Sequence, residues 1–561
     1  MDSVEKFQLS YSVSEDMNIK NMKSQFQPSE EDTNSGYNPY NNLEVNKYNP
    51  LYSVFFNMDS SNYNKIGFDN QYQIVDLKTV KNIQNGNTEN KDIFIKFSPL
   101  LDPIRYMIGK YDVQDDNIRT LPKYNDNENV HEKLLNENNS SYVDNFFSFL
   151  SSKLLHNYKF SNGIDFYGSF LTVQDKYKIN ISDDFDYLGD SNYFSDNLNK
   201  LFSVSRFDLY KQYLNCSRTN RNKLNISSNN IEELDSDIVA LDEADVLLNK
   251  VEELGDLEEI YAKEPVEDDG ESDDEDDSDI VSDEDEEYDG DDHDNSDEED
   301  DDSAEDSEMS IGENVFAYIN NFPVQMICLE KCDGTLDELF ENSEIDEMNG
   351  SAALLQVILS LLIYQKTFQF THNDLHTNNI VYKTVDQEFV YYKFNNVYYK
   401  VPTYGKMFKI IDFGRSIYKY QGKIFCSDSF APGGDAATQY NCEPFYNKNK
   451  PRIDPNMSFD LCRLGCSIYD FIIDDENYED MNELQQTVHR WCTDDNDLNI
   501  LYKKNGNERY PNFKLYKMIA RTVHKHTPER QLGFEFFNKY AVSELDENAP
   551  IIDIDAMHSY A

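Results

Sequence analysis

A run of acidic residues divides the sequence and limits what the chain can fold into. Between residues 267 and 308 there are 28 Asp or Glu and no Lys or Arg. Almost no apolar residues interrupt this run, so it cannot bury enough surface to offset the entropy lost on folding, and its like charges repel. The sequence therefore predicts a disordered acidic insert, with foldable sequence on both sides of it.

The acidic tract (residues 267–308) allows more than one function. A solubilising loop is one interpretation, and a binding segment for a basic protein partner is another. It also has the pattern of a phosphorylation target, because four serines have an acidic residue three positions later: Ser272, Ser282, Ser296 and Ser303. A calcium-binding loop around Asp285 is excluded, because Ser296 stands where the bidentate glutamate is needed.

Overall composition narrows the class of protein. The 561 residues are 39% hydrophobic and include 39 Tyr and 35 Phe, which is enough to form a real core. The net charge of -57 argues against a nucleic-acid or anionic-membrane partner, since phosphates would be repelled. The eight cysteines show no metal-binding spacing and are expected to be reduced thiols. With no apolar leader and no run long enough to span a bilayer, we expect a soluble, intracellular protein.

Two short motifs in the second half of the chain contain Asp and Asn side chains that can bind a metal ion or orient a hydroxyl. HNDLHTNN, residues 372–379, follows an apolar helical run and precedes a strand, and it contributes Asp374 and Asn379. IIDFG, residues 410–414, contributes Asp412 at a strand end. A carboxylate can orient a hydroxyl, while an amide oxygen and a second carboxylate can bind Mg²⁺. The motifs therefore predict a site for phosphoryl transfer.

These motifs resemble the catalytic core of the protein-kinase-like superfamily. Together with FIKFSPLLDP, YVDNFF and FYGSF, they further resemble serine/threonine-protein kinases of giant, mimivirus-like DNA viruses. The resemblance covers roughly residues 60–185 and 312–535. It implies an α+β, bilobal kinase fold. The small lobe would be an antiparallel sheet with one main helix, interrupted between its fourth and fifth strands by the acidic insertion, and the larger lobe would be mainly helical.

The resemblance also implies a role for each matching residue. Lys96 would bind the ATP phosphates and pair with Asp144, and Asp374 would align the acceptor hydroxyl. The other implied positions are Asn379 and Asp412 as Mg²⁺ ligands, Leu329 as gatekeeper, Glu330 and Cys332 on the adenine-facing backbone, and His372 and Asp460 as structural supports of the catalytic loop. Near the end of the chain, Arg530 would pair with Glu443.

The sequence departs from the kinase pattern at several places. In KIGFDNQYQIVDLKTV, ahead of Lys96, Gly67 is the one glycine, so a glycine-rich phosphate loop is altered or missing. Asn373 stands where many kinases have an arginine, so activation-loop phosphorylation is not expected to be needed. His376 replaces a lysine. Between Asn379 and Asp412 there is an additional hairpin, expected to turn at residues 395–396 because Asn tolerates positive φ.

We accordingly divide the chain into six parts. The predicted parts are a disordered N-terminal segment (1–60), the first part of the small lobe (61–185), an insertion (186–311), the last small-lobe strand and hinge (312–335), the large lobe (336–540) and a C-terminal tail (541–561). The predicted activity is transfer of phosphate from Mg·ATP to a serine or threonine of a protein substrate, in the host cytoplasm or the virion if the protein is viral. A pseudokinase or acidic-tract scaffold and a small-molecule kinase are the alternatives.

Overall fold

The structure is a computed structural model that describes residues 6–113, 115–205, 314–473, 480–545 and 549–561. It mixes α-helices and β-strands, as the sequence predicts. The acidic tract, and most of the predicted insertion, lie outside the described residues. Seven cysteines fall within them, and all seven are free thiols.

A sheet of long antiparallel strands forms the centre of the first half of the chain. Its order is β6 (Ile93–Pro99), β9 (Phe316–Glu330) and β7 (Phe166–Asn180), and β8 (Phe202–Val204) also pairs with β9. Side chains of a strand alternate between its faces. In β6 this puts Ile93 and Ile95 in one buried cluster, while Lys96 points to the opposite face.

One long helix, α6 (Ser140–Tyr158), packs on the Lys96 face of this sheet. The Asn139 side chain caps its start by accepting a hydrogen bond from the Ser141 backbone N–H. Phe146 and Phe147 are fully buried. Apolar burial of this kind, and not helix propensity, stabilises most helices of this length in proteins. The alternation of apolar and polar residues in DIFIKFSPLLD (92–102) predicts a strand, and the apolar spacing of residues 141–157 predicts a helix; the helix is confirmed, and so is the strand as far as Pro99.

Short hairpins precede Lys96 in place of a glycine-rich loop. They are built from β3 (Tyr72–Asp76), β4 (Thr79–Asn82) and β5 (Thr88–Asn90), which pair in that order. Gly67 lies within β2 (Ile66–Phe68), where it pairs with Ser12. It is therefore a strand residue and not part of a phosphate-binding turn.

The prediction that residues 1–60 are disordered is wrong for residues 6–60. β1 (Tyr11–Val13) pairs with β2, and short helices follow at Ile19–Gln25 (α1), Glu30–Ser35 (α2) and Tyr52–Phe55 (α3). Although this segment is polar overall, several of its apolar side chains are buried. Met17, Met22, Tyr40 and Leu43 cover the Ile93 face of the central sheet.

The predicted insertion begins later than residue 186. Residues 185–204 form α7 (Phe185–Gly189), α8 (Asn192–Asn197) and β8, which adds to the central sheet. Phe194 and Phe202 stack with their ring centroids 4.9 Å apart. These residues therefore belong to the folded part of the chain, and the prediction that the insertion begins at residue 186 is wrong for residues 186–204.

Helices and short sheets make up the second half of the chain. After β10 (Gly334–Thr335) come α9 (Leu336–Glu341) and α10 (Glu347–Phe368), then β11 (Ile380–Thr384) and β14 (Lys406–Ile410), which form one sheet with β10. Next are the hairpin β15 (Ile417–Tyr420) and β16 (Lys423–Cys426) and the helices α11 (Phe459–Ile472), α12 (Glu483–Trp491) and α13 (Lys514–Thr522). The predicted large lobe therefore contains more strand than the sequence analysis expected.

The remaining helices are short and lie at the edges of these cores. They are α4 (Pro103–Met107), α5 (Glu132–Leu135), α14 (Pro528–Gln531) and α15 (Glu535–Asn538).

The additional hairpin between the two motifs is confirmed. It consists of β12 (Phe389–Phe394) and β13 (Val397–Pro402), and both turn residues, Asn395 and Asn396, have positive φ. β17 (Ala541–Val542) and β18 (Ile551–Asp553) extend it to four strands. The predicted C-terminal tail thus forms part of a sheet.

Helix α10 is the main core helix of the second half. Among the described residues it is the one helix long and apolar enough to cross a membrane, and 89% of its most apolar window is buried inside the protein. Such burial is typical of the core helix of a globular protein. Its C-terminal end leads directly into residues 372–379, so a rigid element supports the predicted catalytic loop.

Candidate active site

Lys96 lies between two carboxylates that come from distant parts of the chain. Its Nζ is 2.7 Å from Asp144 Oδ2 on α6 and 2.7 Å from Asp412 Oδ1. The Lys96 and Asp412 side chains are 26% and 45% exposed, whereas Asp144 is almost fully buried. The predicted pairing of Lys96 with Asp144 is confirmed, and the structure adds Asp412 as a second partner.

The charges of this group stabilise each other. Burial raises the pKa of Asp412, but the Lys96 ammonium outweighs burial and lowers it to about 2. Burial works against the ammonium of Lys96 too, and the two carboxylates nevertheless raise its pKa. For Asp144, burial dominates and raises the pKa. Lys96 therefore stays protonated and Asp412 ionised at neutral pH.

The IIDFG segment is held against α6 by its backbone. The Phe413 backbone N–H donates to Asp144 Oδ1 at 3.0 Å. The Phe413 ring is fully buried and packs on Phe147, with ring centroids 4.7 Å apart. Asp144 consequently fixes both the ammonium of Lys96 and the backbone next to Asp412.

Strand pairing brings Asn379 and Asp412 together. β11 and β14 are antiparallel, with Ile380 opposite Ile410, and the Ile411 backbone N–H donates to the Asn379 carbonyl at 3.0 Å. Asn379 directly precedes β11, and Asp412 follows β14 by two residues. Two side chains 33 positions apart in sequence thus sit on adjacent backbones.

Asp460 and His372 hold the catalytic loop, as predicted. The buried carboxylate of Asp460, at the start of α11, accepts hydrogen bonds from the backbone N–H groups of His372 (2.9 Å) and Asn373 (2.8 Å). The Asp374 backbone N–H donates to His372 Nδ1 at 3.3 Å, so Nε2 carries the proton and donates to the Ile411 carbonyl at 2.9 Å. His372 therefore links the two motifs and has no free nitrogen to act as a base.

Asn373 connects neighbouring segments through neutral hydrogen bonds. It is fully buried, has a φ of 64°, and accepts a hydrogen bond from the Tyr440 hydroxyl at 2.8 Å. Its amide donates to the Arg415 carbonyl at 3.0 Å. The segment that follows IIDFG is thus tied to the catalytic loop without a buried charge that a phosphate would have to neutralise.

A carboxylate in that following segment is tied to the start of α6. Asp428 Oδ2 is 2.6 Å from Lys133 Nζ, and its Oδ1 accepts a hydrogen bond from the Ser140 backbone N–H at 3.0 Å. A negative charge at a helix N-terminus is favourable. Since α6 also carries Asp144, Asp428 connects the segment after IIDFG to the helix that positions Lys96.

Tyr516 of α13 directly contacts Asp374. Its hydroxyl donates to Asp374 Oδ1 at 2.8 Å and accepts a hydrogen bond from Arg463 Nε at 2.9 Å. The second oxygen, Oδ2, has Arg415 Nε at 3.9 Å. Asp374 is 27% exposed. One oxygen of Asp374 is therefore held by a hydrogen bond from Tyr516, whereas Arg415 at 3.9 Å is the nearest described cation to the other.

The Asn379 side chain is oriented by its amide nitrogen. Nδ2 donates to the Asp374 carbonyl at 2.9 Å and lies 3.0 Å from His376 Nε2. Burial lowers the pKa of His376, although the Asp374 carboxylate acts to raise it, so the ring is neutral at pH 7 and can accept this hydrogen bond. Among the described residues none donates to Asn379 Oδ1, which leaves that oxygen to a ligand.

The donor set fits Mg²⁺ bound together with phosphates. Asn379 Oδ1 and the Asp412 carboxylate are hard oxygen donors, and Mg²⁺ commonly takes one or two protein oxygens plus substrate phosphates. In the described part of the chain no group of three or more His, Cys, Asp or Glu forms a self-sufficient metal site.

The residues predicted to face adenine lie at the end of β9. Leu329 is buried there, and it pairs with Phe94 on β6, an aromatic side chain that is 50% exposed. The Glu330 carboxylate turns inward, where it accepts hydrogen bonds from buried Lys409 Nζ (2.5 Å) and the Asp165 N–H (2.8 Å). Burial raises the pKa of the Cys332 thiol to about 12. Glu330 thus has a structural side chain, and its backbone N–H is also used inside the protein, where it donates to the Asp165 carbonyl at 3.0 Å.

One predicted contact is wrong. Glu443 does not pair with Arg530 but with Arg452, at 2.8 Å. Arg530 instead donates to the Lys525 carbonyl at 3.4 Å. Arg452 is only nine positions from Glu443, and the sequence analysis overlooked this local partner in favour of a distant one.

Several residues of the site were missed by the sequence analysis. They are Tyr516, Arg463, Arg415, Tyr440, Asp428 and Lys133. Tyr516 and Asp374 are 142 positions apart. No local spacing predicts such a contact, since it depends on how α13 packs against α11.

Comparison with known proteins adds one short similarity. No protein-family model matches the sequence. A stretch of 85 residues is 38% identical to "Uncharacterized protein 098R" of Invertebrate iridescent virus 6. This stretch is 13% of the present chain and spans 14% of that protein's length. The similarity is to a viral protein, in line with the viral origin that the motifs suggest.

Proposed function

We propose that the protein is a viral, Mg·ATP-dependent serine/threonine-protein kinase with a bilobal protein-kinase-like fold. The observation that carries the proposal is the position of Lys96, 2.7 Å from both Asp144 and Asp412. A cation held by a helix carboxylate, next to an aspartate at a strand end, is the arrangement that phosphate binding and metal binding need together.

The architecture supports the bilobal assignment. The first half is an antiparallel sheet with α6 packed on one face, and its strands β8 and β9 flank residues 206–313. The second half is built on α10, α11, α12 and α13. Lys96 belongs to the first half, and Asp374, Asn379 and Asp412 to the second, so the proposed ATP site lies where the two halves meet.

Each side chain has a distinct role in the proposed reaction. Lys96 contributes positive charge to the ATP phosphates, while Asn379 and Asp412 supply oxygens to Mg²⁺, which neutralises the phosphates when bound. Asp374 accepts a hydrogen bond from the acceptor hydroxyl through the oxygen that Tyr516 leaves open. Phosphoryl transfer requires little covalent chemistry from the protein, so the rate depends mainly on positioning of the reactants and on charge neutralisation.

The ordered segment between IIDFG and α11 favours a protein acceptor over a small molecule. It is held to α6 through Asp428 and to the catalytic loop through Tyr440. The Phe430 and Tyr440 rings pack with centroids 5.5 Å apart. An extended, anchored segment beside Asp374 offers the length that a peptide needs to dock.

The test is transfer of radiolabelled phosphate from Mg·ATP to a panel of acidic, neutral and basic proteins. We expect transfer by the native chain and at least a hundredfold loss in Asp412→Asn. Asp386→Asn, an exposed aspartate outside the site, is the matched control and should keep full activity.

Two other results would point elsewhere. If Mg·ATP raises the melting temperature but no acceptor is labelled, the pseudokinase scaffold replaces the kinase. If a small hydroxyl compound is labelled and proteins are not, the protein is a small-molecule kinase and not a protein kinase. Transfer that survives in Asp412→Asn would refute the assigned metal role.

A further inference from the structure

Two basic stretches lie in the second half of a chain whose net charge is -57. Residues 503–530 contain eight Lys or Arg and two Glu. A second short basic stretch, NKNKPR, occupies residues 447–452. We define the basic rim as the side chains of Lys448, Lys450, Arg452, Lys514 and Arg521, all of which are exposed.

Helix α13 carries Lys514 and Arg521 of this rim and contacts Asp374 through Tyr516. Tyr516, whose hydroxyl is 2.8 Å from Asp374 Oδ1, lies two residues after Lys514 and five before Arg521. Five helical residues correspond to about 7.5 Å along the axis. Arg521 Nη2 donates to the Thr438 carbonyl at 3.0 Å, so the far end of α13 touches the segment beside the catalytic loop.

The other part of the rim is fixed to the same segment. Asn441 Nδ2 donates to the carbonyls of Asn447 (3.0 Å), Lys450 (3.0 Å) and Pro451 (2.8 Å), which shapes the loop that carries the lysines. The preceding residue, Tyr440, donates to Asn373 next to Asp374. The loop therefore has a defined position relative to the acceptor site.

A groove separates the two parts of the rim. It has a volume of about 370 Å³ and is lined by Arg452, Asp454, Asn456, Arg521 and His524, among others. Arg452 comes from one part of the rim and Arg521 from the other, while His524 is paired with Asp495 at 2.6 Å. A peptide that leaves Asp374 along α13 would meet this groove.

Part of the positive charge is not neutralised by the protein. Arg452 is paired with Glu443 (2.8 Å) and Asp454 (2.7 Å). Lys448, Lys450 and Lys514, by contrast, have no carboxylate within 4.0 Å in the described part of the chain. Each ammonium can therefore attract a ligand carboxylate.

We propose that the acceptor is a serine or threonine in an acidic segment, whose carboxylates bind the basic rim. This inference rests on the proposed kinase function and names its substrate class. An extended peptide advances about 3.3 Å per residue, so the roughly 10 Å of α13 between Lys514 and Arg521 correspond to about three peptide residues. Opposite charge on the substrate would act mainly on binding and on the rate of encounter.

The experiment compares peptides that differ only in flanking charge. Each has one serine acceptor, with Asp and Glu, with Asn and Gln, or with Lys and Arg at the flanking positions. The native protein should use the acidic peptide with a kcat/KM at least tenfold above that of the neutral peptide, and the basic peptide least. Raising the salt concentration from 50 to 500 mM should shrink the ratio, because screening weakens contacts between exposed charges.

Charge reversal at the rim supplies the structural test. In the triple variant Lys448→Glu, Lys450→Glu and Lys514→Glu, the ratio of acidic to neutral peptide should fall at least tenfold, through KM for the acidic peptide. The matched control reverses three exposed lysines of the first half, Lys20, Lys65 and Lys123, and should keep the native ratio.

The outcomes distinguish a wrong substrate class from a wrong assignment of kinase activity. Equal or better use of the neutral peptide by the native protein, or an unchanged ratio in the triple variant, overturns the substrate class and leaves the kinase standing. Failure to label any peptide or protein overturns the kinase and this inference with it.

Discussion

Replacing Lys96 by methionine tests the charge arrangement at the centre of the site. The change removes the ammonium and leaves the Asp144 and Asp412 carboxylates facing each other. Each has an oxygen 2.7 Å from the Lys96 nitrogen, so these two oxygens lie no farther apart than twice that distance. At about 5 Å and an effective dielectric constant of about 20, two like charges repel by about 3 kcal/mol.

The expected loss of stability is smaller than this figure. Asp412 is 45% exposed, and solvent screening reduces the repulsion to about 2 kcal/mol. For a chain of this size such a loss lowers the thermal midpoint by about 2 °C at pH 7. Lys78→Met is the matched control, because Lys78 and Asp92 form an ion pair with both side chains more than half exposed, and it should leave the midpoint unchanged.

The pH dependence gives the prediction its sign. In the native protein the pKa of Asp412 is lowered to about 2 from 3.8, so its contribution to stability is present above pH 3.8 and is lost as the pH falls through 2. In Lys96→Met one carboxylate gains a raised pKa, and protonation relieves the repulsion. The difference in thermal midpoint between the two proteins should therefore narrow as the pH falls from 7 to 4.

A second substitution completes the cycle. Asp144→Asn in the Lys96→Met background removes the repulsion, and the asparagine oxygen still accepts the hydrogen bond from the Phe413 N–H. The double variant should be more stable at pH 7 than Lys96→Met alone. Scanning calorimetry at several pH values makes the comparison. Equal midpoints of the native and Lys96→Met proteins at every pH, or a double variant less stable than the single one, would refute the reasoning.

Three further substitutions or conditions probe the surrounding contacts. Asp460→Asn places an amide against backbone N–H groups that now donate to a buried carboxylate, and should cost about 2–4 kcal/mol of unfolding free energy, measured by denaturant titration. Tyr516→Phe removes the hydrogen bond to the Asp374 carboxylate, which contributes about 1.5 kcal/mol. We expect kcat to fall about tenfold while KM for ATP stays unchanged, and an unaltered kcat would contradict this. The pKa of His376 in the folded protein is lowered from 6.5, so above pH 6.5 the ring is neutral and accepts the hydrogen bond from Asn379. This hydrogen bond is lost when the pH falls through the lowered pKa of the folded protein. Mg²⁺ affinity in the presence of ATP, measured by calorimetry, should therefore fall only at pH values below that pKa.

The sequence is informative where function depends on local order. The strand with Lys96, the helix with Asp144 and the two motifs with Asp374, Asn379 and Asp412 all have clear periodicity or spacing, and the structure places the five side chains on contacting elements. Strand pairing explains this, because neighbours in a sheet bring the ends of distant segments together.

Other features depend on packing that no local pattern contains. Residues 6–60 look disordered because polar residues dominate them, yet a few buried apolar side chains such as Met22 and Leu51 hold them on the sheet. The Asp374–Tyr516 contact depends on the crossing of α13 and α11. The predicted Arg530–Glu443 pair is wrong for a different reason, because Glu443 has a nearer partner in sequence, Arg452.

The most direct test of the kinase assignment is a single-turnover measurement of phosphate transfer from Mg·ATP to a protein acceptor, by the native chain and by Asp374→Asn. The affinity of both for ATP is measured alongside by calorimetry. The account predicts equal ATP affinity within about threefold and a transfer rate at least a hundredfold lower in Asp374→Asn. Equal transfer rates in the two proteins, or no transfer by the native chain despite bound Mg·ATP, would contradict it.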